Sequence, residues 1–444
     1  MSRSAFFALA LTATLAFPLA ALADDHAAHL AIGDPARKDH AVGLVLDGIT
    51  DAAKGDTISV AELAARLDGV RLLFVGESHV DMEFHRVQLR VLQELQRRGR
   101  TVMIGLEMYP VTEQAALDRW YGEKKMTEER FLTESRWYKN WGYHWNYYRD
   151  IFLFAREHRV RMFGVNIPRP MVSTIRSKGF DSLTVAQRAM LPPRVDLDSE
   201  EHKRLFRAFF GDEDALHGNM PEPMFQGMYR AQCGWDAAMG WNAVQALRKY
   251  GDEKAIMVVL IGSGHVAYGL GAERQVKPWF DGRVASVIPY PVAEVPGGPL
   301  SAGPQASYAN FVWGVPAFGD PVYPSTGIST PDAKSGAHYK VINVADPSPA
   351  SAAGVKVGDE LVSVDGIAVD DKEPLNQYMS TKRWGDTLRY QLLRDGHPLE
   401  VTVNLRRLHH EAKGDTAAAT HAPAHTPAAP AAPAAPKPAT GGTR

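Results

Sequence analysis

The fold is decided by one stretch, Arg71-Leu72-Leu73-Phe74-Val75-Gly76-Glu77-Ser78-His79, an apolar run that ends in a Gly-x-x-His motif. A second stretch repeats this pattern over residues 255–265 and ends in Gly262-Ser263-Gly264-His265. Short apolar runs without polar alternation are typical of strands that are buried on both faces of a sheet. We therefore expect each motif to lie where a buried strand ends.

Three further runs of the same kind lie at residues 101–106, 161–165 and 284–288. Residues 83–98 carry an apolar stripe at helical spacing, and residues 221–249 are a second long helical stretch. Strands and helices that alternate in this way predict an α/β fold with a mostly parallel, layered sheet flanked by helices.

Polar residues follow the predicted strands at their carboxyl ends. They are Glu77 and His79 after the first, Glu107 after the second, Asn166 and Arg169 after the third, and His265 after the fourth. Because the carboxyl ends of parallel strands share one edge of a sheet, we expect these side chains to meet in one pocket. Histidine and carboxylate groups can hold a divalent metal or act as acid and base.

Residues 137–148 are unusually aromatic, with Trp137, Trp141 and Trp145 at every fourth position. One interpretation is a stripe that covers the core. The other is a platform for a flat macrocycle whose iron is ligated by a nearby side chain, since Tyr and His both serve as haem ligands. The candidates for that ligand are Tyr143, His144, Tyr147 and Tyr148.

The order of these motifs over residues 44–290 resembles the ChaN family of iron-regulated haem-binding proteins. The motifs are Gly76-Glu77-Ser78-His79, Gly105-Leu106-Glu107-Met108, residues 141–148, Val165-Asn166-Ile167-Pro168, Trp235-Asp236 with Met239, and Gly262-Ser263-Gly264-His265. The family is grouped with Tiki-type metalloproteases, TraB-like proteins and erythromycin esterases. The resemblance implies haem or iron handling in the envelope, with His79, His265, Glu77 and Glu107 in a shared polar pocket.

A second compact unit at residues 335–407 combines strand runs, a helix near residues 374–381 and a hairpin whose turn is Arg394-Asp395-Gly396. Its order resembles the PDZ domains of envelope proteases. The resemblance implies that it binds a peptide or protein C-terminus by adding it as a strand. We expect the carboxylate-binding loop at Gly336, Ala337, His338 and Tyr339, which departs from the usual Gly-aromatic-Gly-aromatic form.

The ends of the chain differ in composition from these two units. Residues 1–23 are predicted to be a cleaved signal peptide, so we expect an exported, periplasmic protein without a transmembrane anchor. Residues 24–43 are predicted to be a polar leader, 44–292 the α/β domain, and 293–334 a Pro, Gly and Ser-rich linker. The PDZ-like unit then follows, and residues 408–444 are predicted to be a disordered Ala/Pro-rich tail.

Composition excludes several classes of protein. A net charge of −2 gives no field that would recruit nucleic acid or an anionic membrane. Because Cys233 is the only cysteine, the chain has no internal disulfide, no thiolate zinc cluster and no lipoprotein anchor, although ChaN-like proteins are often lipoproteins. We expect Cys233 to be a buried apolar residue and His85 to lie on the surface. The sequence leaves a homodimer open.

Three functions follow from these observations. The first is haem or iron binding for iron uptake, with His79, His265, Glu107, Tyr148, Asn166 and Arg169 as cofactor contacts. The alternative is a Tiki-like metal-dependent peptidase or esterase, in which His79, His265 and Glu107 ligate a divalent metal and Glu77 is the catalytic base. The chain has neither a His-Glu-x-x-His helix nor a Gly-x-Ser-x-Gly elbow to support this alternative. The third is a scaffold in which only the PDZ-like unit acts.

Overall fold

A computed structural model describes residues 26–209, 221–292, 301–317, 319, 321–330, 338–369 and 371–408. The predicted signal peptide lies outside the described residues, and so do Gly336, Ala337 and residues 409–444 of the predicted tail. Within the described part, no helix combines the length and apolar character that a membrane span requires.

The strands of the described part are β1 (Ala41–Leu44), β2 (Ile49–Asp51), β3 (Thr57–Ile58), β4 (Val70–Glu77), β5 (Thr101–Pro110), β6 (Arg161–Asn166), β7 (Ala255–Gly262), β8 (Arg283–Val292), β9 (Ser301–Gln305), β10 (Phe311–Pro316), β11 (Ile328–Ser329), β12 (Tyr339–Lys340), β13 (Asn343–Val344), β14 (Glu360–Val364), β15 (Ile367–Ala368), β16 (Thr387–Arg394) and β17 (His397–Asn404).

The helices are α1 (Val60–Arg66), α2 (Met82–Arg97), α3 (Gln114–Gly122), α4 (Glu128–Glu134), α5 (Trp137–Asn140), α6 (Arg149–Glu157), α7 (Arg169–Lys178), α8 (Val185–Arg188), α9 (Glu200–Ala208), α10 (Glu222–Tyr250), α11 (Ala272–Val276), α12 (Pro349–Ala352) and α13 (Lys372–Met379). Short 3-10 turns connect several of them.

The main sheet has eight strands in the order β3-β2-β10-β8-β4-β7-β5-β6. Neighbouring strands from β10 to β6 are parallel, whereas β2 and β3 form an antiparallel edge. The five strands predicted from apolar runs are β4 to β8, and the two predicted helices are α2 and α10. The predicted α/β class with a mostly parallel sheet is therefore confirmed.

Apolar side chains cover both faces of this sheet. On one face, Leu73 and Val75 pack in a cluster with helix α2 and the aromatic residues of the 137–148 segment. On the other face, Leu72 and Phe74 pack against helix α10. Alternate residues of one strand thus enter two separate cores, which explains why β4 has no polar alternation.

The predicted linker and leader are wrong in part, because both supply strands. Within the predicted linker, β10 pairs in parallel with β8 and antiparallel with β2, and Trp313 is 1% exposed. Strand β1, at the end of the predicted leader, pairs with β9. The Pro and Gly content of residues 293–334 hid this strand, although Phe311, Trp313 and Val315 alternate toward one core while Val312 enters the other.

The C-terminal unit has its own β-rich core. Strands β12, β14, β16 and β17 form one sheet, and β15 pairs with β14. The predicted hairpin joins β16 to β17 through Asp395 and Gly396, both with positive φ. Strand β11 pairs with β13, so this unit begins before Ile328 and the predicted start at residue 335 is wrong.

Candidate functional site

Four consecutive strands of the sheet deliver the candidate residues to one edge. The strands β4, β7, β5 and β6 are neighbours in that order, and Glu77 lies opposite Gly262 in the β4–β7 register. Asn166 is the last residue of β6, whereas Glu107 lies within β5, where the β5–β6 register shifts between Leu106 and Pro110. Strand β5 therefore extends beyond the predicted end at residue 106, and Glu107 does not follow the strand as predicted. The expected common edge is present, and it follows directly from the parallel order.

Gly262 marks the point where the side chains converge. A Cβ atom at this glycine would lie 3.3 Å from His79 Cε1 and 3.6 Å from both Glu107 Oε2 and His265 Cδ2. The Gly262 N–H donates to Glu107 Oε2 at 2.6 Å, and His265 Nε2 lies 3.5 Å from Glu107 Oε1. The three groups therefore surround the position of this glycine.

Glu77 is the buried anchor of the site. Its carboxylate accepts hydrogen bonds from His79 Nδ1 at 2.8 Å, Tyr148 OH at 2.7 Å and Gln88 Nε2 at 3.0 Å. Burial by itself would raise the pKa of Glu77, but the charge of His85 and the bonds from His79 and Tyr148 outweigh it and lower the pKa to about 2. The buried carboxylate is thus engaged by three donors, and it holds the neighbouring side chains in place.

His79 is oriented by Glu77 and surrounded by aromatic rings. Its side chain is 30% exposed, and its ring lies 4.7 Å from the Trp141 ring and 4.9 Å from the Tyr143 ring. Since Nδ1 binds Glu77, Nε2 is the nitrogen that remains for a ligand. Burial lowers the pKa of His79, but the bond to Glu77 and the charges of both glutamates outweigh it, so the pKa is raised.

His265 is oriented by a residue of a distant helix. Its Nδ1 donates to Asp236 Oδ1 at 2.6 Å, and Asp236 lies fully buried on α10. Burial lowers the pKa of His265, whereas the charge of Glu107 and the bond to Asp236 raise it to a net value of about 8. Asp236 belongs to the Trp235-Asp236 motif, but nothing in its spacing alone connects it with the second Gly-x-x-His ending.

The prediction that His85 lies on the surface is wrong. Its side chain is 3% exposed, its Nε2 lies 3.3 Å from the backbone oxygen of His79, and its Nδ1 lies 3.1 Å from Gln88 Oε1. His85 lies in the first turn of α2, which places its Nδ1 3.4 Å from Glu77 Oε2 at the end of β4. The available signal was that positions 85, 88, 92 and 95 share one buried face of α2.

The other predicted cofactor contacts, Tyr148, Asn166 and Arg169, have different surroundings. Tyr148 is fully buried behind Glu77, so Tyr143 is the tyrosine beside His79. The Asn166 amide donates to the backbone oxygen of Glu107 and accepts from the Ile167 N–H, so it fixes the chain rather than facing a ligand. Arg169 donates to the backbone oxygen of Asn140, and its charge acts on Tyr143.

The aromatic segment, residues 137–148, combines both interpretations given above. Trp137 and Trp145 pack together in the core with ring centroids 5.0 Å apart, whereas Trp141 and Tyr143 lie against His79. The segment is not one helix, because α5 ends at Asn140 and Gly142 has a φ of +88°. Its central turn lies against His79, and its last residue, Tyr148, donates to Glu77.

Among the described residues, no group of three or more His, Cys, Asp or Glu side chains is arranged to hold a metal ion. The structure therefore does not support the divalent-metal alternative. Cys233 is buried next to His202, and burial is the main cause that raises its pKa to about 12. This thiol is an interior residue, as expected.

In the C-terminal unit, β11 lies at the edge of its strand pair among the described residues, whereas Tyr339 of the predicted loop belongs to β12. Residues 339–344 are flanked by β14 on one side and β11 on the other, and Tyr339 is 5% exposed. Strand β11 has no second strand partner among the described residues, and Lys372 of α13 donates to Thr330 beside it. An unpaired edge next to a helix is the geometry that strand addition needs. Just before β11, Gly327 has a φ of +80° and packs closely on Ser348, because a Cβ at Gly327 would lie 2.3 Å from Ser348 Cβ.

Comparison with known families assigns both units. Residues 63–276 match the family described as "Haem-binding uptake, Tiki superfamily, ChaN", and residues 324–405 match the PDZ domain. The chain thus contains a ChaN-like domain and a PDZ domain. The PDZ match includes β11, in agreement with the earlier start of this unit.

Several solved structures are similar to parts of the chain. ChaN of Campylobacter jejuni, whose structure concerns cofacial haem binding, is 16% identical, with 60% of this chain and 95% of that chain covered and a TM-score of 0.47. The serine endoprotease of Yersinia pestis is 26% identical, with 20% and 30% covered and a TM-score of 0.17. An HtrA-type protease with a decapeptide is 18% identical, with 26% and 40% covered and a TM-score of 0.19. This chain spans less than half of either protease.

Proposed function

We propose that this chain, which carries a ChaN-like domain followed by a PDZ domain, binds haem at the carboxyl edge of its main sheet and serves iron uptake as an exported, periplasmic protein. The match to a haem-binding uptake family supports the ligand class. The contacts at the carboxyl edge of the sheet support this position for the haem, because aromatic rings and one oriented imidazole lie together there.

The observation that carries the proposal is the state of His79. Its Nδ1 is bound by a buried carboxylate, its side chain is 30% exposed, and its Nε2 has no hydrogen-bond partner among the described residues. In metal-ligating histidines, the ring nitrogen that does not bind the metal usually donates to a carboxylate or a similar acceptor. This bond fixes the orientation of the ring and raises its basicity. His79 is therefore the residue that we assign to the iron.

The surroundings of His79 also suit a porphyrin. Trp141 and Tyr143 present aromatic surface on which a flat macrocycle can pack. The Tyr143 hydroxyl is a further candidate ligand, since tyrosinate binds haem iron in other proteins. Arg169 supplies a cation near Tyr143 that can pair with a propionate. When bound, haem would supply an iron centre that His79, and as a further candidate Tyr143, would hold.

A haemin titration of the full chain, followed by the Soret band, tests this proposal. We expect a saturable shift, and we expect Trp141→Ala to weaken binding because it removes part of the aromatic wall. The matched control is Trp384→Ala, a tryptophan of the PDZ domain that bonds to the backbone of Pro321. A spectrum of free haemin at all protein concentrations would contradict the proposal.

We further propose that the PDZ domain binds a peptide or protein C-terminus along β11, with α13 as the second wall of the groove. Export is tested separately by periplasmic extraction, in which we expect a mature chain that begins near Asp24. Recovery of a chain that retains residues 1–23 in a membrane pellet would contradict the export proposal.

A further inference from the structure

The aromatic segment has a second face, which contacts the PDZ domain. Asn376 Nδ2 of α13 donates to the Tyr138 backbone oxygen at 2.9 Å, and His144 Nε2 donates to the Ser380 backbone oxygen at 2.9 Å. Gly142 lies at the same contact, since a Cβ there would be 3.1 Å from Asn376 Nδ2. The turn that presents Trp141 and Tyr143 to His79 therefore also rests on α13.

The same segment contacts the chain that leads into β11. The His144 and Tyr323 rings are stacked, with centroids 3.4 Å apart and an interplanar angle of 5°. The Tyr323 N–H also lies 3.4 Å from the Tyr147 hydroxyl. His144 thus contacts Ser380, just after α13, and Tyr323, in the chain that leads into β11, so it lies at one end of the two elements that form the PDZ groove.

We propose that the aromatic segment closes one end of the PDZ groove, so that peptide binding at β11 and haem binding at His79 weaken each other. The haem half of this inference rests on the function proposed above, whereas closure of the groove does not. A peptide added antiparallel to β11 ends beside the residues before Ile328, where Tyr323 lies under His144. Its carboxylate needs backbone N–H groups at that end, so His144 must move first.

The direction of the coupling follows from the two faces of one short segment. Moving His144 away from Ser380 and Tyr323 also moves the adjacent turn that holds Trp141 and Tyr143 against His79. Haem that packs on these two rings favours the docked segment, and a peptide favours the undocked one. Ligands that prefer opposite states must lower each other's affinity, and by the same factor.

Calorimetric titration tests closure of the groove without haem. The probe is a pool of pentapeptides with a free C-terminal valine, and the same pool with an amidated C-terminus is the negative control. We expect His144→Ala to tighten binding about tenfold, because it removes the ring stack and one hydrogen bond from the closed state. Tyr323→Ala, which removes the same stack from the PDZ side, should also tighten binding. The matched control is His158→Ala, an exposed histidine after α6, and it should bind like the wild type.

Each result decides a separate part of the inference. If neither His144→Ala nor Tyr323→Ala binds the pool more tightly than wild type, or if no form binds it, closure of the groove is overturned. With haemin bound, the pool should bind the wild type several-fold more weakly, and the coupling should be lost in His144→Ala. If haemin binds but does not change peptide affinity, the coupling is wrong and the proposed function stands. If haemin does not bind at all, the proposed function and the coupling both fail, while the peptide comparison still decides closure.

Discussion

The two Gly-x-x-His endings have the same motif but different surroundings. At the first, Glu77 of the motif itself binds His79 Nδ1, and aromatic rings flank an imidazole that is 30% exposed. At the second, the carboxylate comes from Asp236 on α10, and the His265 side chain is 15% exposed with Nε2 facing Glu107. One ending is open toward the aromatic segment, and the other faces inward.

This difference separates a ligand-facing imidazole from one that organises the site. Glu107 accepts a hydrogen bond from the Gly262 N–H and faces His265. The second ending therefore fixes the position of the Glu107 carboxylate, which lies beside His79. His79 keeps one ring nitrogen for a ligand. The motif therefore predicts a histidine at a strand end, and the neighbouring elements decide what that histidine can do.

Exchanging the two supporting carboxylates for amides should give the largest effect. Glu77→Gln removes a buried charge that accepts three hydrogen bonds, and we expect a loss of about 3 kcal/mol in the free energy of unfolding. Asp236→Asn should lose about 2 kcal/mol, because that carboxylate supports fewer donors. Denaturant unfolding measures both. A larger loss in Asp236→Asn would reverse the comparison.

The pH dependence of the free energy of unfolding should reflect the protonation of His265 in the second Gly-x-x-His ending. The folded pKa of His265 is about 8, above the unfolded value near 6.5, so its contribution is fully present below the unfolded pKa and is lost as pH rises through the folded one. This contribution is roughly 2 kcal/mol. We expect unfolding curves at pH 6 and pH 9 to differ less in His265→Gln than in wild type. An unchanged difference would assign the dependence to other groups.

Removal of the Tyr148 hydroxyl, which donates to Glu77, should have the smallest effect on the free energy of unfolding. Tyr148→Phe removes one of three donors to the carboxylate and leaves the ring in place, so we expect a loss of about 1.5 kcal/mol. Tyr143→Phe is the matched control, because the Tyr143 hydroxyl has no hydrogen bond among the described residues, and its stability should stay near wild type. Equal losses in both variants would mean that the bond to Glu77 contributes nothing.

The sheet follows from the sequence because β4 to β8 each contain a short apolar run, and its polar edge follows because β4, β6 and β7 end in Glu77, Asn166 and Gly262. Strand β10 does not stand out, since its six residues include Gly314 and Pro316 and lie in a Pro and Gly-rich region. Its role as a strand depends on the neighbours β8 and β2, which are distant in sequence.

Within the site, the residues near the strand ends were predictable from the sequence, whereas the residues that helices bring to the site were not. His79 and His265 follow strands and Glu107 lies within β5 toward its carboxyl end, so their proximity follows from parallel order. Asp236, Gln88 and His85 reach the site from helices, whose rotation about their own axes the motif does not specify. Tyr148, predicted as a cofactor contact, donates to Glu77 instead, and Tyr143 lies beside His79, a difference that depends on the turn at Gly142.

Haemin affinity of His79→Ala and His265→Ala, measured side by side from the Soret band, tests the central claim most directly. If His79 is the imidazole that faces the iron, its loss should weaken binding on the order of a hundredfold, since even supporting residues of metal ligands cost about ten- to a hundredfold. His265→Ala should weaken binding by about tenfold or less, as a residue that only organises Glu107. Thermal melting of both variants confirms that each is folded. Equal effects, or a larger loss in His265→Ala, would contradict the assignment of the open ending to the haem.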